Sequence, residues 1–252
     1  MQSPYNLIHN PIEFEVIIIL KNVYTNGEYL QRHQTWHAED SLWKAEHIYK
    51  IIERNSITCT KIADIGCGAG GVLYQLSHLM NKGIKYYGYD ISPQAIELAL
   101  KHPSTNICFK SEDLLSVNNR EHFDILLIID VMEHIPNHFD FLNKCRTKAN
   151  YKIYHIPLDL SVSSVLNDSF IKDRRNLGHV QYFSFQSAIA CLQDTGHVIL
   201  DYFFTDVGTY YSEQSLTLKR TIANLPRRIL AFFNIALAAK IFGRYSIMIL
   251  TK

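Results

Sequence analysis

The feature that most constrains this chain is a short apolar run followed at once by closely spaced glycines. Residues 62–71 read Ile-Ala-Asp-Ile-Gly-Cys-Gly-Ala-Gly-Gly, and a helical pattern opens directly after them. Glycines let the main chain turn tightly and approach a ligand without a Cβ in the way. The N–H groups at the start of the following helix add a partial positive charge. A strand, a glycine loop and a helix in this order predict a nucleotide-binding α/β fold.

The glycines alone leave two kinds of nucleotide ligand open. Gly66, Gly68 and Gly71 also satisfy the G-x-G-x-x-G fingerprint of dinucleotide-binding proteins. Asp64 stands two residues before the first glycine, where its carboxylate can face an ammonium group and would repel a pyrophosphate. S-adenosylmethionine carries such an ammonium group. The pattern D-x-G-x-G-x-G resembles the first motif of the class I S-adenosylmethionine-dependent methyltransferases.

Composition narrows the class of protein and its partners. The chain has 252 residues, of which 47% are hydrophobic, enough for one large α/β domain. Its net charge of +1 gives no strong field for a polyanion, so a nucleic-acid partner is not expected. Five scattered cysteines without a C-x-x-C pair favour a reducing compartment. We therefore expect a cytoplasmic protein that acts on a small-molecule acceptor, and the sequence does not indicate an oligomeric state.

No segment is predicted to span a membrane. The N-terminus lacks the pattern of a secretory signal. The run at 17–20 is far shorter than the ~20 apolar residues that a span needs. The apolar stretch 229–242 is interrupted by Asn234 and Lys240, and we interpret it as a core or lid helix in preference to a helix on a membrane surface.

Alternating strand and helix patterns predict a parallel sheet with helices on both faces. The expected strands are 61–65, 85–90, 106–110, 123–129, 151–156, 197–205 and 245–251, and the expected helices are 38–53, 71–80, 93–100, 137–149 and 185–194. The resemblance implies a Rossmann-like, seven-stranded, mostly parallel sheet whose C-terminal strand is antiparallel. Residues 1–55 are interpreted as an N-terminal helical arm or lid. Residues 56–252 are the core, with substrate-side insertions at about 158–178 and 210–243.

Further cofactor-binding residues follow from the other motifs. Asp90 closes the second predicted strand, where a carboxylate can accept hydrogen bonds from both ribose hydroxyls, although nicotinamide enzymes place an acid there too. The resemblance implies that Ile91 flanks the adenine and that Asp113 binds its amino group, with a turn cap as the alternative role of Asp113. The cofactor-binding residues implied by the resemblance are Asp64, Gly66, Cys67, Gly68, Gly70, Asp90, Ile91, Asp113, Leu114 and Asp130.

A fourth motif follows the apolar strand at 123–129. Residues 129–136 read Ile-Asp-Val-Met-Glu-His-Ile-Pro, and polar residues at the carboxyl end of a central strand face the ligand crevice. This run is similar to the fourth motif of small-molecule O-methyltransferases, a group that includes the ubiquinone-biosynthesis enzymes. Because imidazole titrates near neutral pH, His134, His155 and His179 are candidate bases, with His134 preferred.

The same motif raises the question of a metal ion. The spacing of Asp130, Glu133 and His134 is similar to the ligand sets of some ubiquinone O-methyltransferases and of small-RNA 2′-O-methyltransferases, in which a later histidine, here His179, completes the site. Many relatives carry Glu-His without a metal, and Asp130 stands where those families have Glu. No metal is therefore predicted.

These motifs together predict methyl transfer from S-adenosylmethionine to a small-molecule acceptor, with O-methylation favoured. Three alternatives stay open at this point: a metal-assisted RNA 2′-O-methyltransferase, a nicotinamide oxidoreductase, and a cofactor-binding protein without catalytic activity.

Overall fold

A computed structural model describes residues 38–208, 210 and 218–252 of the chain. Most of the predicted N-terminal arm, residues 1–37, lies outside the described residues. Part of the second predicted insertion lies outside them as well.

Seven strands of the described chain form one sheet. They are β1 (Lys61–Ile65), β2 (Lys85–Asp90), β3 (Ile107–Ser111), β4 (Phe123–Ile129), β5 (Ala149–Pro157), β6 (Ile199–Thr205) and β7 (Ser246–Thr251). Their order is β3-β2-β1-β4-β5-β7-β6. The pairs among the first five strands are parallel, and β7 runs antiparallel to both β5 and β6. The predicted fold class is confirmed, including the reversed C-terminal strand.

Helices connect these strands. They are α1 (Ser41–Arg54), α2 (Gly71–Leu79), α3 (Pro93–Ala99), α4 (His138–Arg146), α5 (Val162–Leu166), α6 (Ser169–Asn176), α7 (Phe185–Asp194), α8 (Leu218–Phe233) and α9 (Ile235–Phe242), with short 3₁₀ turns at Ala38–Asp40 and Met132–His134. The helix predicted at 137–149 ends at Arg146, because Thr147 caps it and the chain enters β5 at Ala149. The strand predicted from residue 197 begins at Ile199, because the N–H of His197 still donates to the Leu192 carbonyl of α7.

The sheet is covered on both faces, and the side chains of β4 show how. Ile125 and Leu127 point to the face covered by α1 and α2, whereas Leu126 and Ile128 point to the face covered by α4, α7 and α9. All four side chains are fully buried. An uninterrupted apolar run is the pattern expected of a central strand in this position.

Helix α1, the described part of the predicted arm, shares a core with the rest of the chain. Ala45, Ile48 and Ile51 are fully buried and pack with Leu73 and Leu76 of α2. This packing fixes the first turn of α1 beside the carboxyl ends of the strands. Among the described residues, no helix is both long and apolar enough to cross a lipid bilayer.

Candidate active site

A cavity of about 530 Å³ lies at the carboxyl edge of the sheet. The loops that follow β1, β4 and β5 line it, together with the first turn of α1. It extends from the glycine loop at Gly66 and Gly68 to the imidazoles of His134 and His179. One cavity therefore adjoins both the first and the fourth sequence motif.

The glycine loop is held in a shape that only glycine adopts easily. The N–H groups of Gly66 and Cys67 both donate to the Tyr89 carbonyl, at 2.8 and 3.1 Å. Gly70 has φ +76°, and a Cβ built on it would lie 2.5 Å from Cζ of Phe109. Both the backbone conformation and the close packing exclude a side chain there.

We expect Gly70→Ala to lower the free energy of unfolding by about 3 kcal/mol, from a left-handed backbone plus overpacking. Urea denaturation measures the change. Gly83→Ala is the matched control, because Gly83 has φ +112° but a Cβ there would meet nothing within 4 Å. The difference between the two variants reports the close contacts with Phe109 and with Ala99, whose Cβ would lie 2.9 Å away. Equal losses would show that Phe109 and Ala99 move aside without cost.

Two aspartates border the glycine loop. The Asp90 carboxylate accepts hydrogen bonds from the N–H of Gly68 at 2.9 Å and of Ser92 at 2.8 Å, so it ties the loop to the start of α3. Asp64 is buried in the cavity wall, and its Oδ1 has no hydrogen-bond partner among the described residues. Burial, with a smaller contribution from Asp90, raises the pKa of the Asp64 carboxyl well above its usual range. A buried carboxyl without a partner is costly, so a donor or cation from a ligand would stabilise it.

The predicted cofactor-binding residues fall into two groups. Those that line the cavity are Asp64, Gly66, Cys67, Gly68 and Asp130. Those that do not are Gly70, Asp90, Ile91, Asp113 and Leu114. Ile91 and Asp113 are exposed, and the Asp113 carboxylate accepts a hydrogen bond from the N–H of Leu115 at 2.9 Å, as in a turn cap. Leu114 is fully buried in the core.

Asp130 is the centre of a charged network in the cavity wall. Its backbone has φ +54°, which is uncommon outside glycine. One carboxylate oxygen lies 2.6 Å from Nδ1 of His155, and the other lies 2.8 Å from Nζ of Lys44. Nε2 of His155 contacts Thr205 Oγ1 at 2.9 Å, and Lys44 also pairs with Asp40 at 3.0 Å. The network joins α1 to the ends of β4, β5 and β6.

The network shifts the pKa values of Asp130 and Lys44. Burial raises the pKa of Asp130, but His155 and Lys44 outweigh burial and hold that pKa well below its usual range. Burial lowers the pKa of Lys44, but Asp130 and Asp40 outweigh it and raise that pKa. Asp130 and Lys44 are therefore an ion pair at neutral pH. Sequence reasoning identified Asp130 and missed Lys44, whose only signal was its i,i+4 spacing from Asp40.

A second cluster closes the other end of the cavity. One ligand atom from each of Glu133, His134 and His179 lies within 4.8 Å of the others. Nδ1 of His134 donates to the Gly178 carbonyl at 3.2 Å, and Nδ1 of His179 contacts the Asp159 carboxylate at 2.8 Å. With the proton on Nδ1, the lone pair of each neutral ring is on Nε2. The structure thus brings together His134 and His179, which lie far apart in the sequence.

Glu133 is the unusual member of this cluster. It is 1% exposed, and its Oε2 has no hydrogen-bond partner among the described residues. Burial, and to a smaller extent the charge of Asp130, raises the pKa of Glu133 well above its usual range. Asp130 is not part of the cluster, because its carboxylate is engaged by Lys44 and His155. A carboxyl and two imidazoles arranged in this way suit a proton or a divalent cation.

A family model described as a methyltransferase domain matches residues 58–205, more than half of the chain. The chain belongs to the class I S-adenosylmethionine-dependent methyltransferases. The match ends where β6 ends, so it includes both sequence motifs that adjoin the cavity. It excludes α1, which supplies Lys44 to this methyltransferase's cavity wall.

Curated relatives match part of the methyltransferase. The ubiquinone biosynthesis O-methyltransferase of Glaesserella parasuis serovar 5 is 32% identical over 101 residues, which cover 36% of this chain and 42% of the relative. The enzyme of the same description from Bradyrhizobium diazoefficiens is 33% identical over 123 residues, which cover 46% of this chain and 45% of the relative. The chain thus spans less than half the length of these curated relatives.

Solved structures resemble the methyltransferase over most of its length. Magnesium protoporphyrin IX methyltransferase from Synechocystis PCC 6803, with bound SAH, has a TM-score of 0.59 at 14% identity and covers 94% of this chain and 99% of its own. A SAM-dependent methyltransferase from Archaeoglobus fulgidus has a TM-score of 0.52 at 19% identity, and the match covers 82% of this chain and 94% of its own. At these identities the likeness shows the fold alone.

Proposed function

We propose that this methyltransferase transfers the methyl group of S-adenosylmethionine to an oxygen atom of a small-molecule acceptor. The observation that carries the proposal is the single cavity that joins Asp64 and the glycine loop to the cluster of Glu133, His134 and His179. The names of the two curated relatives support oxygen as the accepting atom.

In this proposal the amino-acid end of the cofactor lies between an acidic side chain and a basic one. The Asp64 carboxyl, whose Oδ1 has no hydrogen-bond partner within the described part of the chain, accepts hydrogen bonds from the cofactor's ammonium group. The Lys44 ammonium, held in the cavity wall by Asp130, faces the cofactor's carboxylate. The backbone from Gly66 to Gly68 lies against the methionine chain. Asp130 and Lys44 together then act as a cofactor-binding unit.

The nucleoside end of the cofactor lies outside the cavity in this proposal, over the ends of β2 and β3. Asp90 accepts hydrogen bonds from the ribose hydroxyls while it holds the Gly68 N–H. The exposed side chain of Ile91 covers one face of the adenine. Asp113, with the backbone of Leu114, receives the adenine amino group. Ile91 and Asp113 are exposed to solvent, which suits the polar edges of a nucleoside.

The methyl group is already activated by the positive sulfur, so the protein's task is alignment and exclusion of water. A hydroxyl acceptor must also lose its proton before or during the transfer. In this proposal His134 accepts that proton: its Nδ1 donates to the Gly178 carbonyl, which leaves the lone pair of the neutral ring on Nε2.

A divalent cation also fits this cluster, since Glu133 is a buried carboxyl whose Oε2 has no partner among the described residues. Glu133, His134 and His179 would hold the ion, and Asp159 would orient His179. A bound cation would lower the pKa of an acceptor hydroxyl by polarising it.

Cofactor binding is the first test. Calorimetry with S-adenosylhomocysteine, and separately with NAD, should give micromolar binding of the first alone, about −8 kcal/mol. We expect Asp90→Ala to weaken that binding at least about tenfold, because it removes hydrogen bonds to a charged acceptor. Glu97→Gln, an exposed carboxylate on α3, is the control and should bind as the wild type does. Equal affinity of Asp90→Ala and wild type would contradict the assigned role of Asp90.

The acceptor is tested separately. The protein is supplied with S-adenosylmethionine and panels of small phenols and catechols, matched amines, and a short RNA, and formation of S-adenosylhomocysteine is measured. Product from the hydroxyl panel supports the proposal, whereas product from amines or RNA alone overturns it. Repeating the assay with EDTA and then with added Mg²⁺ or Zn²⁺ decides whether a cation takes part.

A further inference from the structure

Helix α8 is oriented with a charged side chain inward. Arg227 is only 3% exposed, and its Nη1 contacts Asp206 at 2.6 Å. Its guanidinium also lies over the ring of Tyr245, 4.8 Å from the centroid. A buried arginine with a carboxylate partner and an aromatic partner anchors α8 to the core. The orientation of the helix is therefore set by Arg227.

The opposite side of the helix is apolar and exposed. Phe232 is 86% exposed and Phe233 is 78% exposed, and their rings contact each other edge to face. Leu225 and Ile229 precede them at helical spacing on the same side, and Leu237 of α9 is exposed beyond them. We name these five residues the α8–α9 apolar face. Single exposed apolar residues are common on proteins, but a continuous aromatic and aliphatic stripe marks an interaction surface.

The chain segment that carries this face has charged residues of one sign only. Residues 218–244 contain six basic residues and no aspartate or glutamate, whereas the whole chain has 25 basic and 24 acidic residues. The six are Lys219, Arg220, Arg227, Arg228, Lys240 and Arg244. Arg228 and Lys240 are exposed and adjoin the apolar face in the sequence. Basic side chains that flank exposed Phe and Leu match the headgroup and acyl layers of an anionic bilayer.

We propose that the α8–α9 apolar face docks on the surface of an anionic lipid bilayer, in place of the core or lid role that the sequence favoured for residues 229–242. Phe232 and Phe233 enter the boundary between headgroups and acyl chains, and Arg228 and Lys240 lie on the phosphates. The docking is peripheral and needs no spanning helix. The segment that carries the α8–α9 apolar face begins after Thr205 at the end of β6 and ends at Ser246 at the start of β7. Thr205 contacts His155 of the cavity wall, and Ser246 lines the cavity itself. Both ends of the docking segment therefore adjoin the candidate active site.

Vesicle flotation tests the docking. The full chain is mixed with vesicles of phosphatidylcholine alone, or with about one third phosphatidylglycerol, at low and at high salt. We expect binding to the anionic vesicles that weakens with salt. The double variant Phe232→Ser with Phe233→Ser should bind at least about tenfold more weakly. The Arg228→Glu variant should bind anionic vesicles about tenfold more weakly, with no change on vesicles of phosphatidylcholine alone.

Matched controls keep the result specific. Val117→Ser removes another exposed apolar side chain, and Lys101→Glu reverses another exposed charge, so both should float as the wild type does. Thermal unfolding and S-adenosylhomocysteine binding show that each variant is folded.

Absence of flotation on anionic vesicles at low salt overturns the proposal. So does equal flotation of the phenylalanine variant and the Val117 control. Conversion of a dimer to a monomer by the phenylalanine variant, without vesicle binding, would assign the face to a second copy of the chain.

Discussion

Lys44→Met is expected to lower the free energy of unfolding by about 3–5 kcal/mol, because it leaves carboxylates in a cavity wall without their cation. Lys44 contacts Asp130 at 2.8 Å and Asp40 at 3.0 Å, and its side chain is largely buried. Methionine preserves the length and apolar stem of the lysine, so the loss reports the charge. Urea denaturation at neutral pH measures it.

Lys50→Met is the matched control for this variant. Lys50 lies on the same helix but is exposed, and it makes a contact with the ring of Phe203 at 4.9 Å. The Lys50→Met change should lower the free energy of unfolding by less than about 1 kcal/mol. Combining Lys44→Met with Asp130→Asn should cost less than the sum of the two single changes, because both remove the same ion pair. A Lys44→Met variant as stable as Lys50→Met would show that the pair contributes nothing.

Because of the same ion pair, we expect the free energy of unfolding to depend on pH. The pKa of Asp130 is lower in the folded protein than its ordinary value of about 3.9. The stabilisation is therefore fully present above that ordinary value and is lost as pH falls below it, toward the folded pKa. In the Asp130→Asn variant, this part of the loss of stability at acid pH should be absent. Urea midpoints measured from neutral pH down to acid, for wild type and variant, test the sign.

His134→Gln is expected to reduce kcat by about 100-fold or more with an acceptor found in the hydroxyl panel, while affinity for S-adenosylhomocysteine stays unchanged. Glutamine is polar and of similar size but has no basic nitrogen. His122→Gln, an exposed histidine outside the cavity wall, is the control. Initial rates at saturating acceptor, together with calorimetry, separate the chemical step from cofactor binding.

The pH profile of kcat distinguishes a base from a cation ligand. If His134 accepts the proton, the wild-type rate should fall on the acid side and EDTA should not affect it. If His134 instead holds a cation, EDTA should remove the activity and the added metal should restore it in the wild type but not in His134→Gln. An unchanged kcat in His134→Gln would show that His134 acts neither as a base nor as a cation ligand.

The sheet could be predicted from the sequence because its signals are local. The apolar run of β4 and the proline after Ser92 at the start of α3 depend on neighbours in the chain. The ends of α4 and β6 differ from the prediction because caps at Thr147 and at Gly196–His197 decide them. Asp64 and Asp130 were placed at the carboxyl edge because parallel strands end there.

Contacts between distant segments could not be predicted in the same way. Lys44 meets Asp130 because α1 packs on α2, a consequence of tertiary packing that no local pattern contains. The positive φ of Asp130 and its bond to His155 likewise depend on where β5 ends. His179 was raised as a partner of His134 by a resemblance to a ligand set. Their ring centroids lie 5.0 Å apart because α6 and the following loop bring them together.

The reversed direction of β7 has an evolutionary consequence. Because β7 runs antiparallel to β6, the chain leaves one strand and enters the next at the same edge of the sheet, beside the cavity. The exposed part of the segment between them can lengthen, shorten or change composition without altering the register of any strand, as long as α8 and α9 keep their buried contacts. Its exposed side chains can therefore diverge among related proteins while the strands that carry the cofactor motifs keep their positions.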